Sequence, residues 1–203
     1  MHYSRSNDYI FFFDIETTGL PKKTNTTRTG FYPYNILEGF DSSRMVSIAW
    51  MIYDKQFNLI KQQHFIVLPD NFISTREASK VHGITLEIGK KRGIPIQEIF
   101  KELTEDLDKC SLIVAYNIIY DCYILLSECY RYKQYNLIEK IKIKKQYCCF
   151  NKVRNHPYFQ PKRDLYPKLD QVIYYLFNES MFDYDDNPLN YTYQCARVYF
   201  DLF

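Results

Sequence analysis

Apolar residues cluster first at Tyr9–Ile15, a short run rich in aromatic side chains that predicts a buried strand. Met45–Tyr53 and Gln63–Val67 predict two more, and the polar stretch Asp54–Asn58 between them predicts a hairpin turn. Lys22–Ser43, rich in Thr, Asn, Gly and Pro, is long for a connection and reads as a functional loop or an insertion. From Thr75 the period changes. Arg76–Val81 predicts a short helix closing at His82-Gly83, and Ile96, Ile99, Phe100, Leu103 and Leu107 recur at helical spacing. Leu112–Ala115 predicts a fourth strand, and Asp121–Tyr132, Leu165–Leu176 and Asn190–Leu202 predict helices. With no internal repeat and no linker, this order predicts a single α/β domain in which a mixed sheet carries helices on its faces.

Composition changes that picture little. The chain of 203 residues suits one domain with a sizeable core. The excess of Tyr and Phe over Gly fits biased coding and carries no functional weight. No apolar run approaches the roughly 20 residues that span a bilayer, so membrane roles are not expected. The six cysteines form no CxxC pair and no charged-then-apolar leader precedes the first strand, so an intracellular, reduced protein is expected.

The net charge of +2 conceals a basic stretch: Lys140, Lys142, Lys144, Lys145, Lys152, Arg154, Lys162, Arg163 and Lys168 crowd the third quarter of the chain. Two readings stand. The stretch faces phosphates, or Lys140–Lys145 is a solvated amphipathic face with Ile141 and Ile143 turned inward.

The most informative segment is Phe11-Phe12-Phe13-Asp14-Ile15-Glu16-Thr17-Thr18-Gly19-Leu20-Pro21. Carboxylates two residues apart on a strand project from one face and can reach one site. Burial and mutual repulsion both disfavour their ionisation unless a cation is present. Mg²⁺ or Mn²⁺ takes oxygen ligands and keeps water, which leaves room for phosphate oxygens. A pair of such ions about 3.5–4 Å apart can activate a water and stabilise the leaving oxygen of a phosphodiester.

Asp14-Ile15-Glu16-Thr17-Thr18-Gly19-Leu20 closely resembles the first motif of the DnaQ-like, DEDD-type 3′→5′ exonucleases, which have an RNase H-like fold. The resemblance continues in order. Val46-Ser47-Ile48-Ala49-Trp50 is similar to the family's second strand, and Ala78–Thr85 to its helix-to-turn signature. Val114-Ala115-Tyr116-Asn117-Ile118-Ile119-Tyr120-Asp121 resembles its second motif. The resemblance implies that Asp14, Glu16 and Asp121 are the catalytic, metal-binding carboxylates for Mg²⁺ or Mn²⁺, two ions in all, with Glu16 also near the attacking water. It further implies that Thr17, Thr18, Gly19, Leu20 and Asn117 bind nucleic acid, Leu20 wedging against the terminal base. The implied partner is single-stranded or 3′-ended DNA or RNA. His82 is matched to a turn element.

The third motif departs from the family. With Gln194–Phe200 fixing the register, the expected His falls on Asp186 and the expected Asp on Tyr191. The missing His is the family's general base, with an ordinary pKa of about 6.5 suited to taking a proton at neutral pH. Tyrosine, with a pKa of about 10, is a poor substitute. Three completions are open: Asp186 supplies the fourth carboxylate, the register slips and Asp185 or Asp183 does so, or a residue of the Lys22–Ser43 loop completes the site. Equally, Tyr184–Pro188 reads as a solvated turn capping the last helix. Two functions follow. One is a metal-dependent 3′→5′ exonuclease; the other is a pseudo-exonuclease that binds a nucleic-acid end or a partner.

Overall fold

The computed structural model describes residues 9–159, 166–181 and 188–202. A five-stranded sheet runs through its centre. Its strands are β1 (Tyr9–Thr17), β2 (Met45–Tyr53), β3 (Leu59–Ile66), β4 (Cys110–Ala115) and β5 (Lys145–Cys148), in the spatial order β3-β2-β1-β4-β5. The first three are antiparallel neighbours, whereas β1 with β4 and β4 with β5 are parallel. The helices are α1 (Arg76–His82), α2 (Leu86–Arg92), α3 (Ile96–Leu107), α4 (Ile118–Arg131), α5 (Tyr135–Ile143), α6 (Cys149–Arg154), α7 (Leu169–Phe177) and α8 (Pro188–Leu202). No helix among the described residues is long and apolar enough to cross a membrane.

Strand alternation divides the core into two. Phe11, Phe13 and Ile15 of β1 join Ile48, Trp50 and Ile52 of β2 beneath α3, α4 and α5. Ile10 and Phe12 join Met51, Tyr53 and Val114 beneath α6, α7 and α8. Burial on both faces explains why β1 reads as a continuous apolar run rather than an alternation. Removing each of these aromatic rings from water contributes about 1.5–3 kcal/mol. The result is a mixed sheet with a helical layer on each face, as the order of elements in the sequence predicts.

The hairpin turn lies where polarity places it. Asp54 Oδ1 accepts the N–H groups of Gln56 and Asn58 at 2.9 Å each, and Phe57 takes the left-handed conformation, φ 63°. Thr75 caps α1, accepting the Ala78 N–H, and Gly83 closes the helix at φ 70°. Gly83 suits that position because it has no Cβ to clash there.

Boundaries shift by up to a turn, with physical causes. β3 starts four residues earlier than Gln63, because Leu59, Lys61 and Gln62 pair with β2 although this stretch is largely exposed. α4 begins at Ile118, so Asp121 sits in its first turn rather than at its start. α7 begins at Leu169 instead of Leu165, which lies outside the described residues. Pro167 stands between them and restricts the chain before it to extended conformations.

One packing expectation fails. Ile141 is buried, but Ile143 is 79% exposed because α5 ends there and Lys144 turns into extended backbone toward β5. β5 itself carries no readable signal: Lys-Gln-Tyr-Cys is short, polar and half-exposed at the sheet edge.

The first three lysines of the basic stretch are engaged internally. Lys140 pairs with Asp108, Lys142 with Glu139 at 3.0 Å, and Lys144 donates to the Cys110 carbonyl at 2.7 Å. A solvated face describes these three better than a phosphate track. Lys162 and Arg163 lie outside the described residues.

Candidate active site

Pairing between β1 and β4 ends at Phe12 and Val114. Beyond that point β1 continues alongside β2 alone, Asp14 opposite Ala49 and Glu16 opposite Ser47. Asp14 and Glu16 share the parity of Ile10 and Phe12, so they leave the sheet on the α8 side. The space vacated by β4 receives the first turn of α4. There the buried Asp121 carboxylate accepts a hydrogen bond from the Ile15 backbone N–H. Topology thus brings residues 107 positions apart in sequence to one sheet end.

Electrostatics register the convergence. Burial first, and then Glu16, pushes the Asp14 carboxyl up to about 8. Asp121 is raised well above the usual carboxylate range by burial, then by Asp14, and also by Glu16, against the opposing Ile15 hydrogen bond. The leading influences on both groups are burial and a neighbouring carboxylate, Glu16 for Asp14 and Asp14 for Asp121, not a lysine or arginine. Ionising these carboxyls together calls for a cation.

The donors are all carboxylate oxygens, the hard set that Mg²⁺ or Mn²⁺ prefers, and this chemistry fits such an ion. Among the described residues, however, no three His, Cys, Asp or Glu side chains close up enough to enclose an ion on their own. The fit is to an open site that water and substrate phosphate complete, not to a protein cage.

α8 supplies the opposite wall. The Cys195 thiol, raised chiefly by its contact with Cys149 and by burial, also feels the charges of Asp14 and Asp121. Its Sγ lies 3.7 Å from Cys149 Sγ, and both cysteines are free. Tyr191 stands one helical turn earlier on that face and is 37% exposed. Asp183, Asp185 and Asp186 lie outside the described residues. The two acids of the Lys22–Ser43 loop are engaged elsewhere: Glu38 is an exposed partner of Lys22 and Asp41 pairs with Arg131.

After Glu16 the chain enters a tightly bound turn. Thr17 Oγ1 donates to the Gly19 carbonyl at 2.8 Å and meets the Tyr120 hydroxyl at 2.7 Å. The Thr18 N–H donates to the Arg44 carbonyl, and the Thr18 carbonyl accepts the Thr75 N–H. Gly19 is required by proximity, since a Cβ there would stand 2.9 Å from the Ser42 carbonyl oxygen. Leu20 projects from the rim, 77% exposed, and Asn117 is exposed at the N-cap of α4.

His82 serves the turn after α1, its Nδ1 accepting the Ile84 N–H at 3.0 Å, while burial holds its pKa below the ordinary histidine value. Sequence reasoning passed over Tyr120, Ser42, Ser43 and Arg44. Tyr120 is revealed by its contact with Thr17, and Ser42, Ser43 and Arg44 by their hydrogen bonds to Thr18, Gly19 and Leu20.

A parallel-antiparallel sheet whose end gathers acidic residues from β1 and α4 defines the class: an RNase H-like fold of the DEDD exonuclease type. Residues 11–174 match the exonuclease family RNase T, and the chain belongs to that family. Among curated proteins none matches the sequence.

The fold is similar to that of Escherichia coli Exonuclease I in complex with a dT13 oligonucleotide, at TM-score 0.71 and 14% identity over 96% of this chain. A zinc-bound form of the E. coli Exonuclease I complex with single-stranded DNA gives TM-score 0.63 at 14% identity over 96% of this chain and 39% of that one. A full-length 3′-exonuclease gives 0.65 at 12% identity, over 96% of this chain and 60% of that one. The chain spans about two-fifths of the length of Exonuclease I, 41% in the dT13 complex.

Proposed function

We propose that this protein is a metal-dependent 3′→5′ exonuclease that hydrolyses phosphodiester bonds at the 3′ end of a single strand. The observation that carries the reading is the meeting of Asp14, Glu16 and Asp121 at one sheet end, without a basic residue as a leading influence on Asp14 or Asp121. Structural neighbours crystallised with single-stranded oligonucleotides support the substrate class.

In this reading Asp14, Glu16 and Asp121 hold the divalent ions, two in number. Bound there, the ions supply an activated water and charge stabilisation at the leaving oxygen. Glu16, at the open end of β1, orients the attacking water. Leu20 packs against the terminal base, and the polar backbone of Thr17–Gly19 receives the terminal nucleotide. Asn117, exposed at the start of α4, shapes the opposite rim. Asp186 is the acid assigned to complete the site from the segment preceding α8.

A metal titration followed by thermal unfolding tests the reading independently of turnover. Mg²⁺ or Mn²⁺ raises the melting temperature of the wild-type protein, since a ligand bound only by the folded state stabilises it. Asp14→Asn abolishes most of that shift. Equal shifts in both proteins would remove the carboxylates from the metal site.

A further inference from the structure

Ser42, Ser43 and Arg44 clamp the turn at Thr18, Gly19 and Leu20. Thr18 N–H donates to the Arg44 carbonyl and Arg44 N–H donates to Thr18 Oγ1, both at 2.9 Å. Thr18 Oγ1 in turn donates to the Ser42 carbonyl at 3.0 Å. The Ser43 hydroxyl donates to the Gly19 carbonyl and the Ser42 hydroxyl to the Leu20 carbonyl, each at 2.8 Å. Whatever fixes this clamp therefore fixes the turn.

The fixing point lies in the interior. Arg44 Nε donates to Glu128 Oε1 at 2.6 Å, and its Nη2 donates to Glu128 Oε2 and to the Tyr132 hydroxyl at 3.2 Å each. The guanidinium also lies over the Phe72 ring, 4.8 Å from its centroid. Glu128 Oε1 accepts the Met45 N–H as well, at 3.2 Å, so the carboxylate holds the clamp by backbone and side chain together. Both residues are buried. Glu128 stands two turns after Asp121 on α4, which makes one rigid helix the support for a site carboxylate and for the clamp.

A buried ion pair is a weak source of stability, because desolvation offsets most of its attraction and an apolar pair of similar volume often serves as well. Its value lies in direction. We propose that Arg44 and Glu128 are positioning residues that hold the seat of the 3′-terminal nucleotide in register with Asp121, an inference that rests on the nuclease reading above.

The test compares wild type with the volume-conserving pair Arg44→Met/Glu128→Leu and with Glu128→Gln. Three quantities are read: melting temperature, hydrogen exchange at the Thr18 amide, and anisotropy of labelled oligothymidylate in linear and circular forms with Ca²⁺. In the paired variant the melting temperature is expected to hold while Thr18 exchanges faster. Preference for the linear strand falls about tenfold, as expected when a binding group is displaced by a fraction of an ångström. Glu128→Gln, which keeps an acceptor for Met45, retains part of that preference.

A stable paired variant with undiminished preference for the linear strand would overturn the proposal. Should the pair fail to fold, full preference in Glu128→Gln alongside faster Thr18 exchange overturns it equally. Wild type that binds linear and circular strands alike removes the nuclease reading and this proposal with it, and is told apart because no variant is involved.

Discussion

Thr17 Oγ1 and the Tyr120 hydroxyl meet at 2.7 Å, joining the end of β1 to the first turn of α4 between Glu16 and Asp121. Each residue stands next to a site carboxylate, so the contact sets the spacing of the two halves. Tyr120→Phe is expected to cost about 0.5–1.5 kcal/mol of stability, the net worth of one such bond. Hydrolysis is expected to fall further than stability does. A double-mutant cycle with Thr17→Val checks this: a coupling energy near zero would mean that the contact does nothing.

Gly19→Ala places a methyl group 2.9 Å from a backbone oxygen, which cannot rotate away. The strain is expected to cost about 1–3 kcal/mol, in the range of overpacked sites. Turnover is expected to fall more than about tenfold if the turn carries the proposed nucleotide seat. Chemical denaturation and steady-state kinetics read the two effects separately.

Tyr191→Asp tests the departed third motif from the other side. The position lies one turn before Cys195, which feels both Asp14 and Asp121. A carboxylate there adds an oxygen ligand to the open site. The metal concentration giving half-maximal thermal stabilisation is expected to drop several-fold, and hydrolysis to rise. An unchanged midpoint would mean that this face of α8 does not reach the metals.

Asp106 governs acid stability away from the site. Burial raises its pKa, but Lys61, Lys109 and the Trp50 indole N–H outweigh burial and hold it below the ordinary 3.8. Its contribution is therefore complete above the unfolded value and is lost as pH falls through the lower folded value. Asp106→Asn is expected to cost about 1–3 kcal/mol at neutral pH. That deficit shrinks toward zero as melts are repeated down to about pH 2. A deficit independent of pH would refute the assignment.

The sequence made β1, β2, the hairpin turn, α1 and α3 legible because each carries its own punctuation: an apolar run, an Asp-to-Asn turn, a Thr cap or a Gly stop. β5 was not legible, since its pairing with β4 is a tertiary fact imposed on four polar residues. The site shows the same division. Asp14, Glu16 and Asp121 stand in recognisable motifs, and the fold brings them to one place. Arg44 and Glu128 are 84 residues apart with no local pattern, so only the packing of α4 against the loop end discloses them. Asp186 lies outside the described residues, and the role assigned to it rests on register alone.

Digestion of a 5′-labelled single strand with Mg²⁺ or Mn²⁺, beside an Asp14→Ala/Glu16→Ala control, addresses the central claim most directly. The account predicts a metal-dependent ladder shortening from the 3′ end and its absence in the control. Folded wild-type protein that binds the strand but yields no ladder would contradict it.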